Sequence, residues 1–421
     1  MPANSSRRSN ISSVLILTAV LLLAGCSSAT RRAATVDSSA WPTFLNDNAR
    51  TNLTRSSLTP PLEKSWSNKI APFEFLKGYP EEQSSTPVVS EGVLYVGSTD
   101  KTFYAFDIAG GVRLWKLKTG EFLESIATAR DNRVCFGSSD GVFRCLDRGE
   151  GRELWRFQTD SEIISSPLIL SNLVFVYSAD DRLYAFDIRT GEKIWRHNHT
   201  GAPNVSLRSH RSPASSVDGK RIYQEFSDGM LICLDAATGR AFWKKKLFDA
   251  LPPPGRYRRT PLVHEKTLYV IGESLSVLAV DSKSGKIINR YDQLKARDYV
   301  VTRENVLVIA GDRKIVALNT STGDIIWEKT VTKGSTVSMM ASGKRIFVIT
   351  RSSYKVLGLK FFTREKGYLL ALDTKDGTTL WEKSLSSTIS SNAISAAGRM
   401  AFFTDKGVVE VWAEKGSLDG R

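Results

Sequence analysis

The residues best suited to chemistry in this chain are few. Four His occur, and three of them, His197, His199 and His210, fall within one short stretch. His197 and His199 are two apart on extended chain, which puts both imidazoles on one side of a strand end. The set nevertheless has no recognisable metal-ligand spacing. The four Cys include no adjacent pair, and no Gly-rich phosphate loop or nucleophile elbow stands out. The acids that recur do so in a fixed pattern, Asp-x-x-x-Gly-x-x-x-Trp. It occurs at Asp107-Gly111-Trp115, Asp147-Gly151-Trp155, Asp187-Gly191-Trp195, Asp235-Gly239-Trp243 and Asp373-Gly377-Trp381. Asn319-Gly323-Trp327 is a close variant, and Asp281-Gly285 ends in Asn289 instead of Trp. A turn-forming role accounts for each of these Asp residues, so the expectation is a protein without catalysis, cofactor or metal.

A period of about 40 residues means an array of small supersecondary units. The copy SPLILSNLVFVYSADDRLYAFDIRTGEKIW, residues 166–195, holds short apolar runs separated by turn signals, the pattern of four antiparallel strands, here A to D. The Asp can start the C–D turn, the Gly can take positive φ, and the Trp on strand D offers an apolar face to the next sheet. Two residues before the Asp lies a small residue, such as Ala105, Cys145 or Cys233, which implies close approach of sheets. A second acid column, Asp100, Asp140, Asp180, Asp228, Asp312 and Asp405, marks the B–C turns. The eighth copy lacks its D strand, while LEKSW, residues 62–66, stands alone near the N-terminus. The fold expected is all-β: an eight-bladed β-propeller of four-stranded antiparallel blades, closed by the N-terminal strand.

Residues 1–25 read as a lipoprotein signal peptide. Arg7 and Arg8 precede an apolar run that is too short to span a membrane and ends in Leu-Ala-Gly-Cys. The motif resembles a bacterial lipobox, which makes Cys26 the lipidation site. Ser27 resembles an outer-membrane sorting signal. Residues 26–40 form a flexible tether of up to ~45 Å, and residues 41–421 form the propeller. Cys145 and Cys233 suit structural burial. Cys135 falls opposite Cys145 if the hairpin turns at Asp140, so a cross-strand disulfide is the alternative there.

The formal net charge is +14, and loss of the signal, with two Arg and no acid, leaves +12. Much of the excess lies in three enlarged segments. Residues 197–213 carry net +2, residues 244–259 net +5 and residues 351–366 net +4, while residues 70–84 are acidic at net −2. The first two are D-to-A connections and the third enlarges a B–C hairpin, so all emerge on one face. Long basic loops on a rigid scaffold suit an anionic partner, with attraction that weakens in salt.

Blades such as LYAFDIRTGEKIW and LLALDTKDGTTLW resemble pyrroloquinoline-quinone-type propeller repeats. With the lipobox and eight blades, residues 60–415 resemble the BamB family, lipoproteins of the outer-membrane β-barrel assembly machinery. VSLRSHRSPA, residues 205–214, resembles the family loop that docks on the POTRA domains of BamA. The resemblance implies Leu207 and Arg208 as contacts, with Val205 and Arg211 beside them. It also implies other Bam components as partners, one copy in a hetero-complex, and an outer-membrane, periplasm-facing location. Unfolded outer-membrane protein clients would be further partners, through exposed strand edges. No nucleic-acid role is implied. Three features depart from the family. Arg256, Tyr257, Arg258 and Arg259 stand where it often carries acids, yet belong to the candidate contact set. WPTFLNDNARTNLT resembles a wider group of propellers, and residues 351–366 have no counterpart. The alternatives are an envelope lipoprotein that binds another anionic partner (lipopolysaccharide, glycan or protein), or a relative of the quinone-dependent dehydrogenases.

Overall fold

The computed structural model describes residues 40–54, 57–70, 85–199, 211–248, 260–355 and 363–416. These residues form eight sheets. Blades 1 to 7 hold residues 88–118, 128–158, 168–198, 214–246, 262–291, 298–330 and 335–384, and blade 8 holds residues 394–414 with 62–69. Blade 3 is typical, with strands Leu168–Leu170, Leu173–Ser178, Arg182–Asp187 and Lys193–Asn198 in that order. The strand Arg182–Asp187 is buried on both sides, with Leu183 and Ala185 facing one way and Tyr184 and Phe186 the other. In blade 8, Leu62–Lys69 pairs antiparallel with Val408–Glu414, so the N-terminal strand closes the ring as expected.

The repeated residues form one joint between successive blades. The indole of Trp155 donates to Ile188 O at 2.9 Å, and the ring lies on Gly191, whose φ is +76°. Trp66 does the same from the closing strand, donating to Ile108 O at 2.8 Å and packing on Gly111. Asp187 Oδ1 accepts from the backbone N–H groups of Arg189 and Thr190, which forms the turn that presents the Gly. Where Trp is replaced by Asn289, the hydroxyl of Tyr291 reaches Thr320 O at 3.4 Å in its place. The small column is buried throughout blades 1–7. Cys135 and Cys145 are directly opposite in blade 2 and are disulfide-bonded, which decides between the two readings left open by the sequence. Cys233 is free and buried, and burial pushes its thiol up to about 12.

One element was not foreseen. Residues 41–54 run across the inner strands instead of merely leading into the first blade. Val89, Ala129, Ser215, Val263 and Ala341, in five different A strands, donate their backbone N–H to the carbonyls of Trp41, Pro42, Asn48, Ala49 and Asn52. The Asn48 side chain donates to Ile169 O at 2.7 Å in a sixth blade, and Leu53–Thr54 adds a parallel fifth strand to blade 7. Each contact falls at or next to the A–B turn end of its strand. The tract therefore lies toward the face of the A–B and C–D turns.

Arg50, fully buried, fixes this tract. Its guanidinium donates to Pro213 O at 2.9 Å, Pro167 O at 3.1 Å, Phe44 O at 2.8 Å and Thr43 Oγ1 at 2.7 Å. Leu45 and Arg50 both hold positive φ, which costs about 1–2 kcal/mol per residue and is outweighed here by the contacts made.

The joint can be isolated experimentally. Gly191 and Gly398 both have positive φ, but an added Cβ meets Trp155 at 2.7 Å in the first and open space in the second. Gly398→Ala should cost about 1 kcal/mol for the backbone alone. Gly191→Ala should cost about 2–4 kcal/mol because overpacking adds to it. Equal losses in urea unfolding would show that the Trp contact contributes nothing.

Candidate functional site

In a meander of four strands, the D–A connections and B–C turns share one face. Hydroxyl groups stitch the starts of the A strands together there. Ser85 Oγ donates to Ser125 O at 3.1 Å, and Ser125 Oγ to Ser165 O at 2.7 Å. Ser166 N donates to Ser212 Oγ at 2.9 Å, and Ser212 N to Thr260 Oγ1 at 3.2 Å. Asn392 N to Thr86 Oγ1, at 3.2 Å, links blade 8 to blade 1.

Two of the enlarged connections, between blades 3 and 4 and between blades 4 and 5, stand on a common base. The first begins at His199, whose N–H donates to Asp181 O at 3.1 Å. Its ring lies 4.5 Å from that of Phe226, and its Nε2 is 2.9 Å from Asp228 Oδ2. The second begins at Leu247 and Phe248. Leu247 N donates to Gly229 O at 3.0 Å, and Phe248 lies so close to Gly229 that a Cβ there would come within 2.4 Å of the ring. Both connections thus leave from opposite sides of one turn, residues 226–229. Their far ends meet as well, through the bond from Ser212 N to Thr260 Oγ1.

A buried polar network braces this base. Asp181, 1% exposed, accepts from the Tyr177 hydroxyl and from the Ser227 hydroxyl, and its Oδ1 accepts from Ser227 N at 3.0 Å. Burial first, and the Asp181 charge second, hold the Tyr177 phenol well above its ordinary range. Arg211, placed with the contact residues by the sequence, turns inward. It is 3% exposed, with Nε 3.9 Å from Glu225 Oε1, because the adjoining Ser212 draws the chain into the hydroxyl belt. The other sequence-derived contact residues, Val205, Leu207, Arg208, Arg256, Tyr257, Arg258 and Arg259, lie outside the described residues, as does Cys26. The described parts of the third segment, residues 351–355 and 363–366, lie in a long B–C hairpin of blade 7, with Arg345–Lys355 paired to Thr363–Asp373.

The His cluster resolves into packing. His197 and His199 both face the Phe226 ring, and burial lowers His197 from its ordinary value, with nearby Lys244 and His199 adding to the effect. His210 lies outside the described residues. The Asp181–Ser227 and His199–Asp228 contacts had no sequence signal beyond a second acid beside Asp180 and a Ser beside Asp228.

A pH dependence follows from Asp228. Burial alone would raise its carboxyl, but the hydrogen bonds from His199 and Met230 N prevail and lower it. A carboxyl lowered on folding stabilises fully above its unfolded value near 3.9, and that contribution is lost as pH falls through the lower folded value. Asp228→Asn should lower stability at pH 6 and flatten the acid limb of the profile. An unchanged acid limb in pH-dependent urea unfolding would remove this contact from the account.

The family model described as "Outer membrane protein assembly factor BamB" matches residues 118–296 and 293–420. Among curated proteins, BamB of Legionella pneumophila (strain Paris) is 23% identical over 215 residues, which is 50% of this chain and 52% of that protein. BamB of Salmonella typhimurium is 22% identical over 130 residues, covering 30% and 33%. The quinoprotein alcohol dehydrogenase PedH of Pseudomonas putida is 32% identical over 128 residues, covering 26% and 22%. The matched stretches thus span about half or less of these relatives. Among solved structures, BamB from Moraxella catarrhalis superposes with a TM-score of 0.64 at 18% identity, covering 85% of this chain and 99% of that one. Quinohemoprotein alcohol dehydrogenase from Comamonas testosteroni gives 0.69 at 14% identity, covering 93% and 82%. These likenesses share the fold. Among the described residues there is no group of three or more His, Cys, Asp or Glu that could bind a metal. Their disulfide joins neighbouring strands inside a blade. The match over most of its length settles the family: the chain belongs to the outer membrane protein assembly factor BamB family.

Proposed function

We propose that the protein acts without catalysis as a lipoprotein scaffold in the assembly and insertion of outer-membrane β-barrel proteins. Acyl chains on Cys26 hold it on the periplasmic face of the outer membrane. The connections between blades 3, 4 and 5 dock on the POTRA domains of BamA, in a complex with other Bam components. The shared base of those connections carries this reading. Two loops that rise from one turn, residues 226–229, and are tied at their far ends by Ser212 and Thr260 act as one docking element. Leu207, with Val205, supplies the apolar part of the contact, and Arg208 with Arg256, Tyr257, Arg258 and Arg259 the directional and charged part. Arg211 holds the loop's end from inside. The disulfide in blade 2 is in keeping with an oxidising compartment.

A second reading, an envelope lipoprotein that binds another anionic partner, is favoured by the charge of residues 244–259, net +5. Binding carried only by charge is abolished by salt, whereas a contact with an apolar centre persists. Tagged protein taken from its own membranes at moderate salt should retain BamA, and Leu207→Ala/Arg208→Glu should reduce the recovered amount at least tenfold. Cys26→Ala should move the protein to the soluble fraction. Recovery of BamA that is indifferent to the loop variant would place the docking elsewhere, and recovery of a different complex would favour the second reading.

A further inference from the structure

Blade 2 breaks a row that most other blades keep. Across the B and C strands, one directly opposed pair sets an aromatic residue beside a small one: Tyr95 and Ala105, Phe175 and Ala185, Tyr223 and Cys233, Tyr269 and Ala279, Phe347 and Ala371. Blade 6 has Val308 and Ala317 there, and blade 8 has Ala401 and Val411. The small residue lets the aromatic ring reach the Trp of strand D. Ring centroids are 5.8 Å apart for Tyr95 and Trp115, 5.6 Å for Phe175 and Trp195, and 6.0 Å for Tyr223 and Trp243. Tyr95 and Trp115 both donate to one carbonyl of the next blade, Arg148 O, at 3.4 and 3.1 Å. Tyr223 and Trp243 share Ser282 O in the same way. In blade 2 the pair is Cys135 and Cys145, so the disulfide stands where an aromatic ring fills the row elsewhere. Both Cys are fully buried in one apolar cluster with Ile163, Ile169, Val174 and Phe186, which belong to blade 3 and the connection leading to it.

We propose that Cys135 and Cys145 make firm closure of the ring conditional on oxidation: their disulfide forms by thiol–disulfide exchange while blade 2 is still uncovered, and the joint of blades 2 and 3 holds only loosely until it has formed. Two free thiols leave the row without the aromatic ring and without the covalent bond, so the reduced joint is the weaker one. The oxidant is itself a disulfide, small or carried by a dithiol oxidoreductase. One Cys thiolate attacks it to give a mixed disulfide and release one thiol, and the second Cys attacks the mixed disulfide and releases the other. The chain gives up two electrons and two protons, and the oxidant leaves as two thiols. Exchange needs access to sulfur, and the closed ring gives none, since neither Cys is exposed. The pair is selected locally. Cys135 and Cys145 are 10 residues apart in one hairpin, whose turn is set by Asp140 Oδ1 accepting from Val142 N at 3.1 Å. Closing so short a loop costs little entropy, while Cys233 lies two blades further on, opposite Tyr223. An oxidising compartment keeps the joint set, and a reducing one loosens it. Blade 2 carries this dependence by itself, whether or not the loops dock on BamA.

The test uses the full-length protein purified from its own membranes. Dithiothreitol followed by an alkylating label, read by mass spectrometry, should leave the Cys135–Cys145 bond intact in the native protein and break it in urea. Protein refolded from urea with reductant present should be cut by protease between blades 2 and 3 about tenfold faster than the oxidised protein. Oxidised glutathione should restore the slow rate and leave Cys233 a free thiol. Cys135→Ser/Cys145→Ser should be cut fast with or without reductant. Cys135→Tyr/Cys145→Ala, which gives blade 2 the row of blade 1, should be cut slowly in both conditions. Equal cutting of the reduced and oxidised parent overturns the proposal. So does reduction of the native bond as fast as in urea, or pairing of either Cys with Cys233. If Cys135→Tyr/Cys145→Ala fails to fold, the comparison of reduced and oxidised parent still decides. None of these readouts involves BamA, so failure here and failure of the docking loops are separately visible.

Discussion

Backbone groups on the inner edge of a closed ring have nowhere to go. Each A strand pairs outward with its B strand and turns its other edge to the axis, where a buried unpaired N–H costs about as much as a lost hydrogen bond. Residues 41–54 meet that requirement in five blades at once, through the amides of Val89, Ala129, Ser215, Val263 and Ala341. The tract can follow the circle only by adopting left-handed backbone at several non-Gly residues, and Arg50 holds it there by bridging blades 3 and 4. The same chain then becomes the outer strand of blade 8 and packs Trp66 on Gly111 of blade 1. One continuous segment therefore fastens the ring at its axis and at its rim.

That division leaves the two faces with different work. The tract and the short C–D turns occupy one face, where the Asp, Gly and Trp positions are spent on joining blades. The opposite face has the hydroxyl belt as its floor, and the described ends of the connections between blades 3, 4 and 5 are tied to it. Asp181, Ser227, Asp228 and His199 spend buried polar contacts on holding the loop ends. Such contacts are costly when left incomplete, and here they brace the surface on which a partner would rest.

The sequence made the ring legible because the joint repeats. A Trp that must meet a Gly one blade later has to recur at a fixed spacing, and a lone strand at 62–66 had to fill the one gap. The axial tract has no such period, and the bonds by which WPTFLNDNARTNLT joins the blades are made with residues far away in the chain. Compensation was hidden for a similar reason: Asn289 signals a missing Trp, but only packing shows Tyr291 reaching Thr320. Arg211 looked like one more basic loop residue, and its burial beside Glu225 depends on the belt that draws Ser212 inward. The base of the loops was illegible because Asp181 and Ser227 become neighbours only once blades 3 and 4 are packed.

The dependence of the ring on its axial tract is open to direct measurement. Native-state hydrogen exchange can follow the amides of Val89, Ala129, Ser215, Val263 and Ala341 in the parent protein and in Arg50→Met. All five should exchange only through global unfolding in the parent, and all five should lose protection together in the variant, including those in blades 1, 2, 5 and 7, away from the Arg50 bonds to Pro167 and Pro213. Rapid exchange in the parent, or loss confined to the blades beside Arg50, would contradict the view that this segment fastens the ring as a unit.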